Sequence, residues 1–436
     1  MIQMKYYDRI NELRAEDPDI SADDTYDYSA LKSSGFVAAL TVWILDHSYW
    51  WMKFLRAWFP LLQIGKIVFV SRNKDVKEVL ERQDVFETPF GPDMVDTSGG
   101  VEAVLGMQDG PAYRHTKDVL AKAFTAADID KILKPMCWQL AGDTVAKGNG
   151  RLNAVRDLIT AVPVWVARDY YGFDIHPDEE RDFAEWNIAL STMYFADFFG
   201  SADLRRQTLI ASAKLVRIAD RSIEVARNNK SKKITPLSRL LDMQKATPDK
   251  ISDADIRGAM ISMVAGFVPT NTMAASHMLD VLLSRPKAFK LAVSAANEDR
   301  DADLQACLFE AMRFKPLNPG PMRFANVDAV VAEGKKHAKT IKKGSTLIAS
   351  TQSAMMDDRV LRDPLNFDPE RPYSAYMLYG HGMHWCIGAQ IANTQITQTL
   401  KALLQKPNLR RASGKAGKLV KWGAFPDSLN VEYDAK

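Results

Sequence analysis

The chain has 436 residues, 47% hydrophobic and 25% charged, the balance of a soluble globular protein with room for a large core and an internal cavity. Lys and Arg number 57 against 54 Asp and Glu, and a net charge of +3 is too small to point to nucleic acid. Three widely spaced cysteines, Cys137, Cys307 and Cys386, give no disulfide framework, so a reducing, cytoplasmic location is expected.

The N-terminus is mixed in charge and lacks the apolar core of a signal peptide. Residues 1–35 read as an extension of a single domain spanning 1–436. The first strongly apolar stretch, 36–45, is far shorter than the roughly 20 residues that a membrane span needs. Trp43, Trp50, Trp51 and Trp58 leave two readings open, core packing of an early helix or contact with a membrane interface without spanning it. A short strand is expected at 66–71, a helix at 74–82 and a loop rich in Gly, Pro and Asp at 88–107. From 111 to about 284 nearly every segment has helical periodicity, with a basic connector at 230–233.

One helix in this region stands out. Ser252 is its N-cap, Asp255 completes a carboxylate form of the capping box, and Arg285-Pro286 stops it after Leu283. Such a span is well over twice the mean helix of about 11–12 residues, so this helix must cross the molecule. A helix at 302–314, alternating segments at 327–332 and 346–349, an irregular stretch at 356–378 and a helix from about 387 to 404 complete the chain. The sum is mainly α with a minor β-sheet.

The chemistry concentrates in Tyr379-Gly-His-Gly-Met-His-Trp-Cys-Ile-Gly388. Its glycines suit a tight loop that approaches something flat and large. Cys386 ends the loop at the expected start of a helix, where backbone N–H groups favour a thiolate. A structural buried cysteine and a metal site with His381 and His384 are the competing readings. A lone thiolate on a glycine-rich loop suits one axial bond to haem iron better.

The loop resembles the F-G-x-G-x-H-x-C-x-G segment of the cytochrome P-450 family, with Tyr379 in place of Phe. Glu310-Ala-Met-Arg313 resembles the family's E-x-x-R pair, and Phe367-Asp-Pro-Glu-Arg371 its partner segment. The resemblance runs from the strand near Lys66 to the C-terminus. It implies a triangular, mainly helical fold with a long helix across a haem b, and Cys386 as the iron ligand. Tyr379, Gly380 and Gly388 would shape the haem loop, and Glu310, Arg313 and Arg371 would form a structural ion cluster. His384, Arg323 and, where the family has other residues, Tyr113 and Lys117 would hold the haem propionates. The family's activity implied here is monooxygenation of a hydrophobic small molecule, with electrons from a ferredoxin or other redox partner.

The long helix departs from the family. Ala265-Gly266 of its oxygen-activating groove are present, with Phe267 at the free position. Val268 and Pro269 stand where an acid and a threonine are expected, followed by Thr270-Asn271. Neither Val268 nor Pro269 has a proton to give, and Pro269 also removes the helix bond to the Ala265 carbonyl. Three routes remain: Thr270 or Asn271 with water replaces the missing pair, hydrogen peroxide is the oxidant, or a fatty-acid hydroperoxide is rearranged. The approach to the cysteine loop resembles that of fungal linoleate diol synthases, whose helix also lacks the acid and uses an amide. The fatty-acid peroxygenases hold their substrate with an arginine here, but 258–276 carries no charge. A substrate pocket is expected from Met260, Met263, Val264 and Phe267, from Phe90 and Met94, and from 193–199. A haem sensor or electron carrier is the alternative from a different class.

Overall fold

A computed structural model describes residues 20–31, 48–197, 201–228 and 233–435. The apolar stretch 36–45 with Trp43, residues 198–199 and most of the 230–233 connector lie outside the described residues. Helix α1 (Ser48–Trp58) leads into a hairpin of β1 (Leu61–Ile64) and β2 (Ile67–Val70), followed by α2 (Asn73–Glu81) and β3 (Phe86–Glu87). The expected strand and helix are present. β1 escapes sequence reading because four residues, half of them exposed, make no periodic pattern.

Trp50 and Trp58 are each 73% exposed and share one face of α1 with the exposed Phe54, so core packing fails for both tryptophans. Trp51 turns the other way, its ring 5.5 Å from that of Phe69. Among the described residues no helix is long and apolar enough to cross a membrane.

The loop expected at 88–107 contains a helix, α3 (Gly91–Thr97), whose first turn accommodates Pro92 because the missing N–H has no partner there anyway. The helical middle includes α4 (Pro111–Ala123), α5 (Lys134–Lys147), α6 (Glu180–Ala196), α7 (Ala202–Asn228) and α8 (Asp253–Leu283). At the start of α8 the Ser252 hydroxyl accepts from the Asp255 amide at 3.1 Å and the Asp255 carboxylate from the Ser252 amide at 2.8 Å. This 31-residue helix is buried on nearly every side and packs against α6, α7 and two later helices, α9 (Asp301–Phe314) and α10 (Ala389–Leu404). A helix apolar all round belongs in a core, and α8 is its axis.

Two strands after α9, β4 (Met322–Ala325) and β5 (Thr346–Ala349), return to the N-terminal hairpin. The sheet order is β1-β2-β5-β4-β3, parallel only between β2 and β5. The chain is thus mainly helical with a small sheet, as expected. One detail differs: α10 begins at Ala389 rather than at about 387, so Cys386 stands in the loop slightly before the helix.

Candidate active site

The cysteine loop is folded by its own backbone. The Cys386 amide donates to the Tyr379 carbonyl at 2.9 Å and the Trp385 amide to Gly382 at 3.1 Å. Gly382 has φ +74°, and a Cβ there would stand 2.5 Å from the Leu80 carbonyl oxygen, so α2 can lie against the loop only over glycine. The Tyr379 hydroxyl donates to the Asn393 side chain on α10, so the oxygen that distinguishes it from Phe is satisfied. Burial raises the Cys386 thiol, opposed by the Gly388 N–H. With the helix starting beyond it, the sulfur needs a cation to be held as thiolate.

Glu310, Arg313 and Arg371 come together beside this loop. Arg313 donates to Glu310 through Nε at 2.9 Å and through a terminal nitrogen at 2.5 Å, and Arg371 Nε lies 3.3 Å from the same carboxylate. Glu310 and Arg313 are fully buried. The carboxylate also accepts from the Asp368 amide at 3.1 Å and the Tyr376 hydroxyl at 3.0 Å. Such saturation is the condition under which a buried ion pair is tolerated.

The residues expected to face propionates gather at one edge of a cavity. His384 is pushed down to about 4 by burial and by positive Arg323 and Lys117. Burial pushes Arg323 down to about 10, and neither Arg323 Nε nor His384 Nε2 has a hydrogen-bond partner. Tyr113 departs from expectation. Its hydroxyl donates to the Met383 carbonyl at 2.7 Å, so its proton is used to clamp the cysteine loop to α4. Lys117 Nζ lies 3.4 Å from both the Tyr113 hydroxyl and the Met383 carbonyl. His381, a candidate in the metal reading, pairs instead with Glu81 at 2.6 Å. Among the described residues no cluster of three or more His, Cys, Asp or Glu is placed to hold a metal ion.

The cavity has a volume of about 390 Å³ and Cys386 lies in its wall. Phe90, Met94, Met263, Gly266, Phe267, Thr270 and Asn271 line it, as do Tyr113, Lys117, Arg323, Tyr379, Gly380, His384 and Gly388. Met260, Val264 and Ala265 do not: they are buried in the core. The α8 lining is formed by 262, 263, 266, 267, 270, 271, 273 and 274. At about 3.6 residues per turn Ala265 points away from that arc and Val264 flanks it, while Met260 shares the face of 263 and 267 but stands before the cavity begins. A Cβ on Gly266 would meet nothing within 4 Å, so glycine there widens the cavity. Of the 193–199 segment, Tyr194 and Phe195 line it, and Met193 packs in the core. No Asp or Glu is among the lining residues.

α8 continues through Pro269. The Ala265 carbonyl, which Pro269 cannot serve, accepts from the Ser191 hydroxyl on α6 at 3.0 Å. The Thr270 hydroxyl donates to Gly266 one turn back. Asn271 donates to Gln395 on α10 at 2.6 Å, and Gln395 in turn to Thr399 at 2.8 Å.

Sequence reasoning missed Ser191, Tyr376, Gln395 and Tyr171. Tyr171 lines the cavity with its ring 5.2 Å from that of Phe267, and burial raises its hydroxyl well above the ordinary value. The proline was a signal that some side chain must serve the Ala265 carbonyl, but not which one.

Known proteins agree with this architecture. The chain is 25% identical to nocardicin C N-oxygenase of Nocardia uniformis over 79% of its length and 83% of that enzyme. It is 24% identical, over 84% of its length, to a bifunctional dioxygenase–epoxy alcohol synthase of Pyricularia oryzae, spanning only 39% of that longer enzyme. A cytochrome P-450 enzyme from Bacillus subtilis superposes with a TM-score of 0.73 at 20% identity, covering 89% of this chain and all of that one, a likeness of fold. The cytochrome P-450 family model matches residues 185–419, more than half of the chain, which therefore belongs to the cytochrome P-450 family.

Proposed function

We propose that this oxidoreductase is a haem-thiolate monooxygenase of a hydrophobic small molecule, supplied with electrons by a ferredoxin or similar partner. One observation carries the proposal: Cys386 lies in the wall of an apolar-lined cavity whose edge holds Lys117, Arg323 and His384, the last two each with an unpartnered guanidinium or ring nitrogen, and no carboxylate. That donor set fits a haem, here haem b, with Cys386 toward its iron and Lys117, Arg323 and His384 toward its carboxylates. The haem, when bound, supplies the iron at which oxygen is activated. Phe90, Met94, Met263 and Phe267 would hold the substrate and exclude water. Thr270 and Asn271 of α8 would move or hold a proton, Thr270 through its hydroxyl and Asn271 through an amide bonded to Gln395. The domain is read as one unit over 1–436. The exposed Trp50, Phe54 and Trp58 support contact with a membrane interface.

A second reading has its own support. With no carboxylate on the cavity wall and an amide on α8, the site also suits a hydroperoxide isomerase or a peroxide-driven peroxygenase, which need no proton relay to reduced oxygen. The likeness to a fungal epoxy alcohol synthase points the same way. A sensor or electron carrier is the weaker reading, because the cavity extends beyond the cysteine loop to an apolar wall of Phe90, Met94 and Phe195, which holding a haem alone does not require.

The test is to give purified protein NADPH with ferredoxin components, hydrogen peroxide, or linoleate hydroperoxide in parallel. Reductant-dependent product supports monooxygenation, and consumption of hydroperoxide without reductant supports the second reading. The reduced protein with carbon monoxide should show the red-shifted Soret band of thiolate ligation, lost in Cys386→Ala.

A further inference from the structure

A hydroxyl has one proton to donate and two lone pairs that accept. Five hydroxyl-bearing residues line the wall that the end of α3, α6 and α8 present to the cavity: Ser98, Ser191, Tyr194, Ser262 and Thr270. Where the partner is a backbone carbonyl, which can only accept, the hydroxyl must be the donor. Ser98 donates to the Met94 and Val101 carbonyls at 2.5 and 2.6 Å, sharing its one proton between them. Ser191 donates to Ala265 and Ser262 to Ala259, both at 3.0 Å, and Thr270 to Gly266.

Tyr194 is assigned by elimination. It shares a hydrogen bond with Thr97. The Thr97 proton is directed at the Asp93 carbonyl at 2.7 Å, so Tyr194 must donate to Thr97. Every hydroxyl of this wall has therefore spent its proton on the protein and keeps only lone pairs for a guest.

Donors remain on other parts of the cavity: Asn271 commits one N–H to Gln395 and keeps its second, and the Thr351 hydroxyl and the Asn318 amide also line the cavity. Lys117, Arg323 and His384 stand at the edge by the cysteine loop, where the proposed haem carboxylates would use them. Tyr113 and Tyr379 have given their protons to Met383 and Asn393. Tyr171 ends the helical segment Ala167–Tyr171, packs its ring against Phe267 and keeps its hydroxyl proton, a donor that belongs to none of the three elements of this wall.

We infer that this wall makes the cavity select an apolar substrate bearing a hydrogen-bond donor, a hydroxyl or N–H, over the ketone, ether or carboxylate of the same skeleton. The inference rests on the reading of this cavity as the substrate site. A donor entering the wall finds lone pairs waiting and replaces its lost water. A carbonyl or carboxylate entering it meets lone pairs with lone pairs and leaves its own oxygen unsatisfied, which costs more than a missed hydrogen bond gains. Sites built around a substrate's polar hydrogen discriminate in this asymmetric way. A free carboxylic acid would be the poorest guest of the series.

The experiment compares dodecan-2-ol, its methyl ether, dodecan-2-one and dodecanoate on the haem-loaded protein. Calorimetry gives each affinity. A Soret shift to shorter wavelength reports that the guest occupies the cavity without ligating iron. The alcohol should bind about ten-fold more tightly than the ether or ketone, the ratio that one hydrogen bond of about 1.4 kcal/mol provides, with dodecanoate weakest. Ether or ketone binding as tightly as the alcohol overturns the inference and leaves the proposed function standing. If none of the four binds, the cavity does not receive apolar substrates, and both readings fall together.

Discussion

The Ser191 hydroxyl donates to the Ala265 carbonyl at 3.0 Å, tying α6 to α8 at the carbonyl that Pro269 leaves without a helical donor. A proline inside a helix and a serine on its neighbour thus act as a matched pair, and the pairing holds the cavity roof in place.

Ser191→Ala should cost about 1–3 kcal/mol, the penalty of a buried carbonyl left unsatisfied. Pro269→Ala restores an N–H four residues beyond Ala265, so in that background the same serine change should cost much less. Denaturant unfolding of the two single variants and the double variant measures this coupling. Equal costs in both backgrounds would show that Ser191 does not stand in for the missing helix bond.

The ion cluster makes a graded prediction. Glu310→Ala leaves Arg313 buried without its partner and should cost about 3–5 kcal/mol, with poor soluble yield and low haem content. Tyr376→Phe removes one of several donors to a carboxylate that is otherwise satisfied, and should cost about 1 kcal/mol with normal haem content. Thermal unfolding and the absorbance ratio of haem to protein separate the two.

His277 sets an acid limit. It is buried on α8, neither ring nitrogen has a hydrogen-bond partner, and burial pushes its pKa well below the ordinary value, helped by positive Lys421 and Lys315. The folded state therefore keeps it neutral while the unfolded chain protonates it below about pH 6.5. Between that pH and the folded value the unfolded state binds more protons, so stability falls as pH falls, by up to about 1.4 kcal/mol per pH unit. His277→Leu should flatten the pH dependence of unfolding below about 6.5. An unchanged slope would assign the acid sensitivity to other groups.

The long elements were legible because their signals were local. Ser252, Asp255 and Arg285-Pro286 bracket α8, and the structure starts and ends it at those punctuations. The cysteine loop and the residues of the Glu310 cluster were legible as motifs, since their spacing is carried by a few neighbouring positions. Contacts between distant segments were not. Nothing in Ser191 distinguishes it from other helical serines until α6 is laid against α8, and Tyr376 reaches Glu310 only through the fold of the irregular stretch. The rotation of α8 and the point along it where the cavity begins were misjudged for Val264, Ala265 and Met260, because a helix apolar all round gives no stripe to orient it.

That rotation also decides where a proton relay can stand. Val268 is fully buried and does not line the cavity, so an acid placed there would be buried in the core and not beside a guest. Thr270 does line it, and its hydroxyl, a donor to Gly266, has lone pairs left to accept from water. If the enzyme activates O₂ with external electrons, Thr270→Val should lower the product formed per NADPH by about ten-fold or more, within the range of general acid catalysis, with the lost electrons recovered as hydrogen peroxide. Turnover driven by added hydrogen peroxide should change by less than about two-fold, since no proton then has to reach reduced oxygen through Thr270. The spin-state shift with substrate, measured alongside, shows that seating is intact. The opposite pattern is equally readable. If Thr270→Val leaves the NADPH yield unchanged while Asn271→Ala abolishes consumption of linoleate hydroperoxide, the amide held by Gln395 is the working group. The hydroperoxide reading then replaces monooxygenation.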